Sequence, residues 1–328
     1  MLKNMLRAYL SFSNKYYVPI MYRFALKRAL KSYHHHDGGN EPMDELMNKN
    51  NNGAQTCSSL NTFRNVEPTN IDNTSSSSRM KELMNKIQLE QNDIIHSEMT
   101  RKFLQDEKDM RNMTDKSWLP LVAQYIASNR VLAKELFQGD EKKAMLFIYD
   151  RALLPPVEKM MRMVLGGQGR KGIASGIIFR TPRAGEDDNQ VDVLEFMWKI
   201  MSVANDLIHA WTLSHEIYHE TKNVTALEGH SDSTHSGDDN EKIRISTIRV
   251  HNCMLNRFFK AHNASHLMPV ICSFDTIWAR NAYENTGHKL RRNQTLSLGG
   301  NYCAFDFSKG FEKEYDVVSV EIEKLRKH

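Results

Sequence analysis

Apolar positions recur at helical spacing through the first two-thirds of this chain and switch to period two only near its end. From Met80 to about Met110 a charged segment carries Leu83, Ile87, Ile94 and Ile95 along one stripe, which predicts a helix. A second helix is expected from about Trp118 to Phe137. A third begins near Glu141 and carries Met145, Leu146, Ile148 and Leu153. Pro155-Pro156 lacks two amide donors, so it is expected to end or kink that helix. The pattern from Val191 to Thr221 reads as one long helix, with Val193, Phe196, Met197, Ile200, Val203, Ala204, Leu207 and Trp211 at helical spacing.

Alternation takes over in Ile243-Arg244-Ile245-Ser246-Thr247-Ile248-Arg249-Val250, the signature of a half-buried strand. Helices are expected from Leu255 to His262 and from Phe274 to Ala282. A hairpin is expected from strands Gln294–Leu298 and Tyr302–Phe307 around Gly299-Gly300-Asn301, and an amphipathic helix from Val317 to His328. These elements predict an α+β fold, with a mostly helical N-terminal two-thirds and a small C-terminal antiparallel sheet. The organisation reads as a basic helix or transit-like segment (1–36), a disordered insertion (37–79) and a helical part (80–223). A polar loop (224–240), an α/β part (241–312) and a terminal helix (313–328) follow.

Composition narrows the classes. At 328 residues with 40% apolar and 26% charged positions, the chain can bury a sizeable core. A net charge of +4, with acidic and basic residues mixed after the N-terminus, argues against a nucleic-acid groove. No run approaches ~18 apolar residues, so no membrane span is expected. Four cysteines make no disulfide framework and fit a reducing, intracellular, cytoplasmic setting, in which the sequons at Asn223, Asn263 and Asn293 are silent. The first 36 residues contain Lys3, Arg7, Lys15, Arg23, Lys27, Arg28 and Lys31 and no acid, a composition that also suits mitochondrial or plastid import. The other reading is an ordinary basic helix packed through Leu10, Tyr17, Ile20, Met21 and Leu26. Residues 37–79, rich in Asn, Gly and Ser, hold too little apolar area to offset their ordering entropy. The basic glycine-rich stretch from Gly166 to Gly176 lacks the order of a phosphate-binding loop and reads as a turn.

Two motifs carry chemistry. His215-Glu216-Ile217-Tyr218-His219 fits H-E-x-x-H, in which two histidines one helical turn apart hold zinc and the glutamate activates water. Charged Glu220 follows directly, and no third ligand is evident, so zinc at His215 and His219 is the alternative reading. The second motif is longer. It runs from Cys253 through Cys272-Ser273-Phe274-Asp275 to Arg292-Asn293-Gln294-Thr295-Leu296-Ser297-Leu298-Gly299-Gly300-Asn301-Tyr302-Cys303-Ala304-Phe305-Asp306-Phe307. A thiol near a carboxylate can be a nucleophile, a metal ligand or a packed apolar group.

This second pattern resembles the terminal motif of the L-2-amino-thiazoline-4-carboxylic acid hydrolase family over about residues 243–309, with Ala304 where the family often has an acid. The resemblance implies ring opening of a cyclic amidine-type thiazoline by water, on the route to cysteine. The expected small-molecule site has Cys272 as nucleophile and Asp275, one helical turn on, as orienting or proton-shuttling group. His288 is the candidate base, and Arg291 or Arg292 is the carboxylate clamp. Cys253 and Cys303 would line it, with a zinc site built from Cys253, Cys272, Asp275 and Cys303 as the alternative and no cofactor otherwise expected. A non-catalytic small-molecule sensor is the competing class. Oligomeric state is left open by these residues.

Overall fold

A computed structural model describes residues 18–36, 73–106, 118–167, 170–171, 198, 202, 211–221, 242–283 and 287–327. Helices dominate to residue 165: α1 (Val18–His36), α2 (Asn73–His96), α3 (Glu98–Asp106), α4 (Leu119–Leu136) and α5 (Glu141–Phe147). A π-helical turn (Ile148–Leu153) then leads into α6 (Leu154–Leu165). Short strands β1 (Gly166–Gly167) and β2 (Arg170–Lys171) make a tight antiparallel pair. The sheet half contains β3 (Trp211–Thr221), β4 (Lys242–Cys253), α7 (Met254–Ala261), α8 (Met268–Tyr283), β5 (Lys289–Arg292), β6 (Cys303–Ser308), β7 (Tyr315–Asp316) and α9 (Val317–Lys327).

The five-stranded sheet has the order β3-β4-β6-β5-β7. Its pairings are antiparallel except for the parallel contact of β5 with β7. An α+β architecture with a C-terminal sheet is therefore what the periodicities describe.

The helical half shares one core. Tyr22, Leu26, Ala29 and Leu30 bury one face of α1, so residues 18–36 form a packed helix. Aromatic edges meet within this core: Tyr33 lies 5.8 Å from Phe147, Phe103 5.3 Å from Phe258 and Tyr125 6.0 Å from Phe259. Phe258 and Phe259 belong to α7, so that helix ties the sheet half to the bundle. At the other end, Arg326 of α9 pairs with Asp150 of the π turn at 2.6 Å.

Several expectations change. The helix expected from Met80 starts at Asn73, inside the segment read as disordered, and 37–72 lies outside the described residues. It breaks at Ser97, whose hydroxyl accepts the Thr100 amide at 3.1 Å and caps α3. Pro155-Pro156 does not stop the chain. The π turn ahead widens the hydrogen-bond spacing, and both prolines fall in the first turn of α6, where missing amides are tolerated.

The largest correction concerns Trp211–Thr221, expected in a helix and found as the edge strand β3, with a bulge between Thr212 and Leu213. The hairpin is also displaced. Its first strand is β5, not Gln294–Leu298, which instead enters a loop with a 3₁₀ turn at Leu296–Leu298. That turn ends at Gly299, whose φ of 85° is left-handed and suits glycine.

Candidate active site

The site is assembled by the N-terminal half of α8, β5 and β6. Helix α8 opens with Met268-Pro269, a proline in the first turn, and carries buried Cys272 and exposed Asp275 three residues apart, on neighbouring turns. Strand β5 runs back along it and delivers Arg292 to the same end. There Arg292, with no solvent exposure, donates to the Cys272 carbonyl at 3.0 Å, to Thr276 Oγ1 at 2.7 Å and from Nε to Asp316 at 2.7 Å. Its Nη1 also lies 3.5 Å from Asp275 Oδ2, and the guanidinium sits over the Phe305 ring at 5.1 Å.

Asp275 keeps 53% of its side chain open to solvent. Surrounding protein nevertheless raises its pKa to about 6, desolvation first, with Arg292 opposing and Asp316 adding. Near neutrality Asp275 can exchange protons, which is the property a general base needs.

Three thiols feel the charge of this carboxylate. Cys272 and Cys303 are buried and Cys253 is half-buried at the end of β4. Burial is the main force pushing each thiol up, Cys253 to about 11, and the Asp275 charge adds to it at all three. At Cys272 the Ser297 hydroxyl and Arg292 oppose this rise. Cys303 Sγ lies 3.0 Å from the buried Thr295 hydroxyl and accepts the Leu296 amide at 3.4 Å. The loop after β5 therefore folds over the sulfurs, anchored by the Gly300 amide on the Thr295 carbonyl at 3.0 Å. All three thiols are protonated at neutral pH, so a thiol here attacks only as a base takes its proton.

The other expected residues lie elsewhere. Arg291 and Arg292 are strand neighbours and point to opposite faces. Arg291 pairs with Glu220 at 2.9 Å and lies over Phe311, away from the thiols. Arg292 is at the site, but its donors already hold Cys272, Thr276, Asp275 and Asp316. The carboxylate clamp expected of either arginine is therefore revised: one is on the wrong face, the other is a buried organiser. His288 precedes β5 at the far end of the α8–β5 hairpin, about 13 Å along the strand from Arg292. It is therefore remote from Cys272 and Asp275.

The zinc peptidase reading falls with the helix. On a strand, His215 and His219 stand about 13 Å apart. His215 Nε2 is hydrogen-bonded to Ser246 at 2.8 Å with its ring stacked on Trp198, and Glu216 pairs with Arg249 at 3.0 Å. Among the described residues no group of three or more His, Cys, Asp or Glu is arranged to hold a metal ion, and this includes the Cys253, Cys272, Asp275 and Cys303 set. No helix among them is long and apolar enough to cross a membrane.

Asp316 and Thr276 were not among the sequence candidates. Asp316-Val317-Val318-Ser319 at the head of an apolar-periodic stretch is a capping pattern, and that signal was present. The pairing of Asp316 with Arg292 is a tertiary event without a local signature.

Fold and site thus define an α+β protein in which a half-exposed carboxylate on α8 is electrostatically coupled to three thiols. Residues 148–307 match the model of the L-2-amino-thiazoline-4-carboxylic acid hydrolase family, the family that the Cys253–Phe307 pattern resembles. The match begins at the π turn and ends in β6, so it spans just under half of the chain and includes Cys253, Cys272 and Cys303. No curated protein and no solved structure matches the chain.

Proposed function

We propose that this protein is a hydrolase that opens a cyclic amidine-type ring such as 2-amino-thiazoline-4-carboxylate. The observation that supports the reading is that the Asp275 charge reaches all three thiols, Cys253, Cys272 and Cys303, with Asp275 one turn along α8 from Cys272. The electrophile in such a ring is the carbon between sulfur and nitrogen. Cys272 attacks that carbon as its proton passes to Asp275, one turn along α8. Asp275 then returns the proton to the departing ring heteroatom as its bond to carbon breaks. Water releases the carbon from sulfur, and Asp275 accepts and returns a proton again. The net change is one water consumed and one ring opened.

Arg292 supplies positive charge at the Asp275 end and keeps the carboxylate ionised against its desolvation. Ser297, bonded to Cys272, and the backbone of the 293–302 loop offer polar groups to the substrate. Incubation of the purified chain with the thiazoline acid, followed with a thiol reagent, tests the reading. Thiol release that disappears in Cys272→Ser is expected. Undiminished release in that variant removes Cys272 from the mechanism. Ligand-induced thermal stabilisation without release would instead describe a sensor.

A further inference from the structure

Two carboxylates share the Arg292 guanidinium, and they share it unequally. Asp316 takes the short bond at 2.7 Å and is 3% exposed, whereas Asp275 lies at 3.5 Å and is 53% exposed. Asp316 is held from every side. Its Oδ1 accepts the Val318 amide at 3.0 Å, and its Oδ2 accepts the Thr276 hydroxyl at 2.5 Å and the Ser319 hydroxyl at 2.7 Å. Thr276 stands between them, accepting from Arg292 and donating to Asp316. Asp316 lies beyond residues 148–307, so it is no part of the family match.

We propose that Asp316 is a positioning residue for Arg292 and Asp275. By holding Arg292 through its short bond at the head of α9, it leaves Asp275 loosely paired and free to pass protons. This rests on the role given to Asp275 above. The charged and titratable groups that face Asp275 are Arg292 from β5, Asp316 from the β7–α9 junction and Cys272 from its own helix. Cys253 of β4 and Cys303 of β6 complete the set. The thiols titrate far above the carboxylate, which leaves Arg292 and Asp316 to set its proton affinity. With Asp316 neutral, Arg292 has a single carboxylate to compensate it, and that carboxylate is Asp275.

The test is a titration of the Asp275 carboxyl by ¹³C NMR in the full chain, its signal assigned by its loss in Asp275→Asn. In Asp316→Asn, whose amide oxygen still caps α9, Asp275 should titrate about one pH unit or more lower. The acidic limb of thiazoline-acid turnover should move the same way. Asp316→Glu, which keeps the charge, should restore the wild-type titration. An unmoved Asp275 titration in Asp316→Asn, with only a lower Tm, would make Asp316 a helix cap and overturn the proposal. Should Asp316→Asn not fold, Thr276→Ala keeps both charges and the cap while loosening Arg292 from Asp316. A smaller downward shift is expected there, and none would be equally fatal. The titration reads whether or not the chain turns over the thiazoline acid, so the two proposals fail separately.

Discussion

The helical half and the sheet half bury polar groups in different ways. In the bundle they are neutral: Tyr22, Gln124, Tyr125, Ser128 and Asn129 are almost fully buried, and the Tyr125 hydroxyl has no hydrogen-bond partner among the described residues. In the sheet half a fully buried polar group is an ion, Arg292, and each of its hydrogen-bond partners is a carboxylate, a carbonyl or a hydroxyl. An apolar core tolerates an orphaned hydroxyl at a modest cost. A buried charge is tolerated only with its partners in place. The lesson is that the bundle supplies stability and the sheet half supplies an electrostatic arrangement, with α7 and α9 as the joints.

Removing one partner of the ion pair should break that contrast most severely. Arg292→Met leaves Asp316 buried without a counter-charge and should cost about 3–5 kcal/mol in urea unfolding. A loss under about 1 kcal/mol would mean that Asp316 reaches water.

A smaller effect is expected at the joint. His262 is fully buried, with Nε2 3.0 Å from Thr100 Oγ1, and burial first and the Arg130 charge second hold its pKa below the ordinary 6.5. The folded state therefore binds this proton less readily than the unfolded chain. Its contribution is intact above pH 6.5 and is lost as pH falls through the depressed folded value. Tm measured at pH 7.5 and 5.5 should drop more on acidification in the wild type than in His262→Gln. Equal drops would show that His262 titrates normally.

The smallest effect should come from the bundle. Tyr125→Phe deletes a hydroxyl that makes no hydrogen bond among the described residues and should change stability by no more than about 1 kcal/mol, in the stabilising direction. A clear destabilisation would give that hydroxyl a partner and blur the difference between the halves.

Much of this arrangement was legible in the residues. Alternation at 243–250, with one slip of phase at Ser246-Thr247, identified β4, and the Cys272-x-x-Asp275 spacing placed both groups on neighbouring turns, because i and i+3 neighbour each other in any helix. Edge strand β3 was not legible. Its burial alternates only weakly, and the apolar series ending at Leu207 and Trp211 continues into it at helical spacing. Strand β5 was missed because Lys289-Leu290-Arg291-Arg292 is short and basic, and its pairing with β6 is what makes it a strand. The same four residues misled the reading of the arginines. Two adjacent side chains on a strand cannot serve one site, but that is evident only once the strand is known.

The central claim is that Asp275 moves protons for a reaction among the three thiols. Turnover of the thiazoline acid by Asp275→Asn, read as thiol release beside the wild type, tests it most directly. The account predicts release by the wild type with a rise in rate through about pH 6, and at least about a hundredfold loss in the variant. Wild-type release that persists undiminished in Asp275→Asn would contradict it.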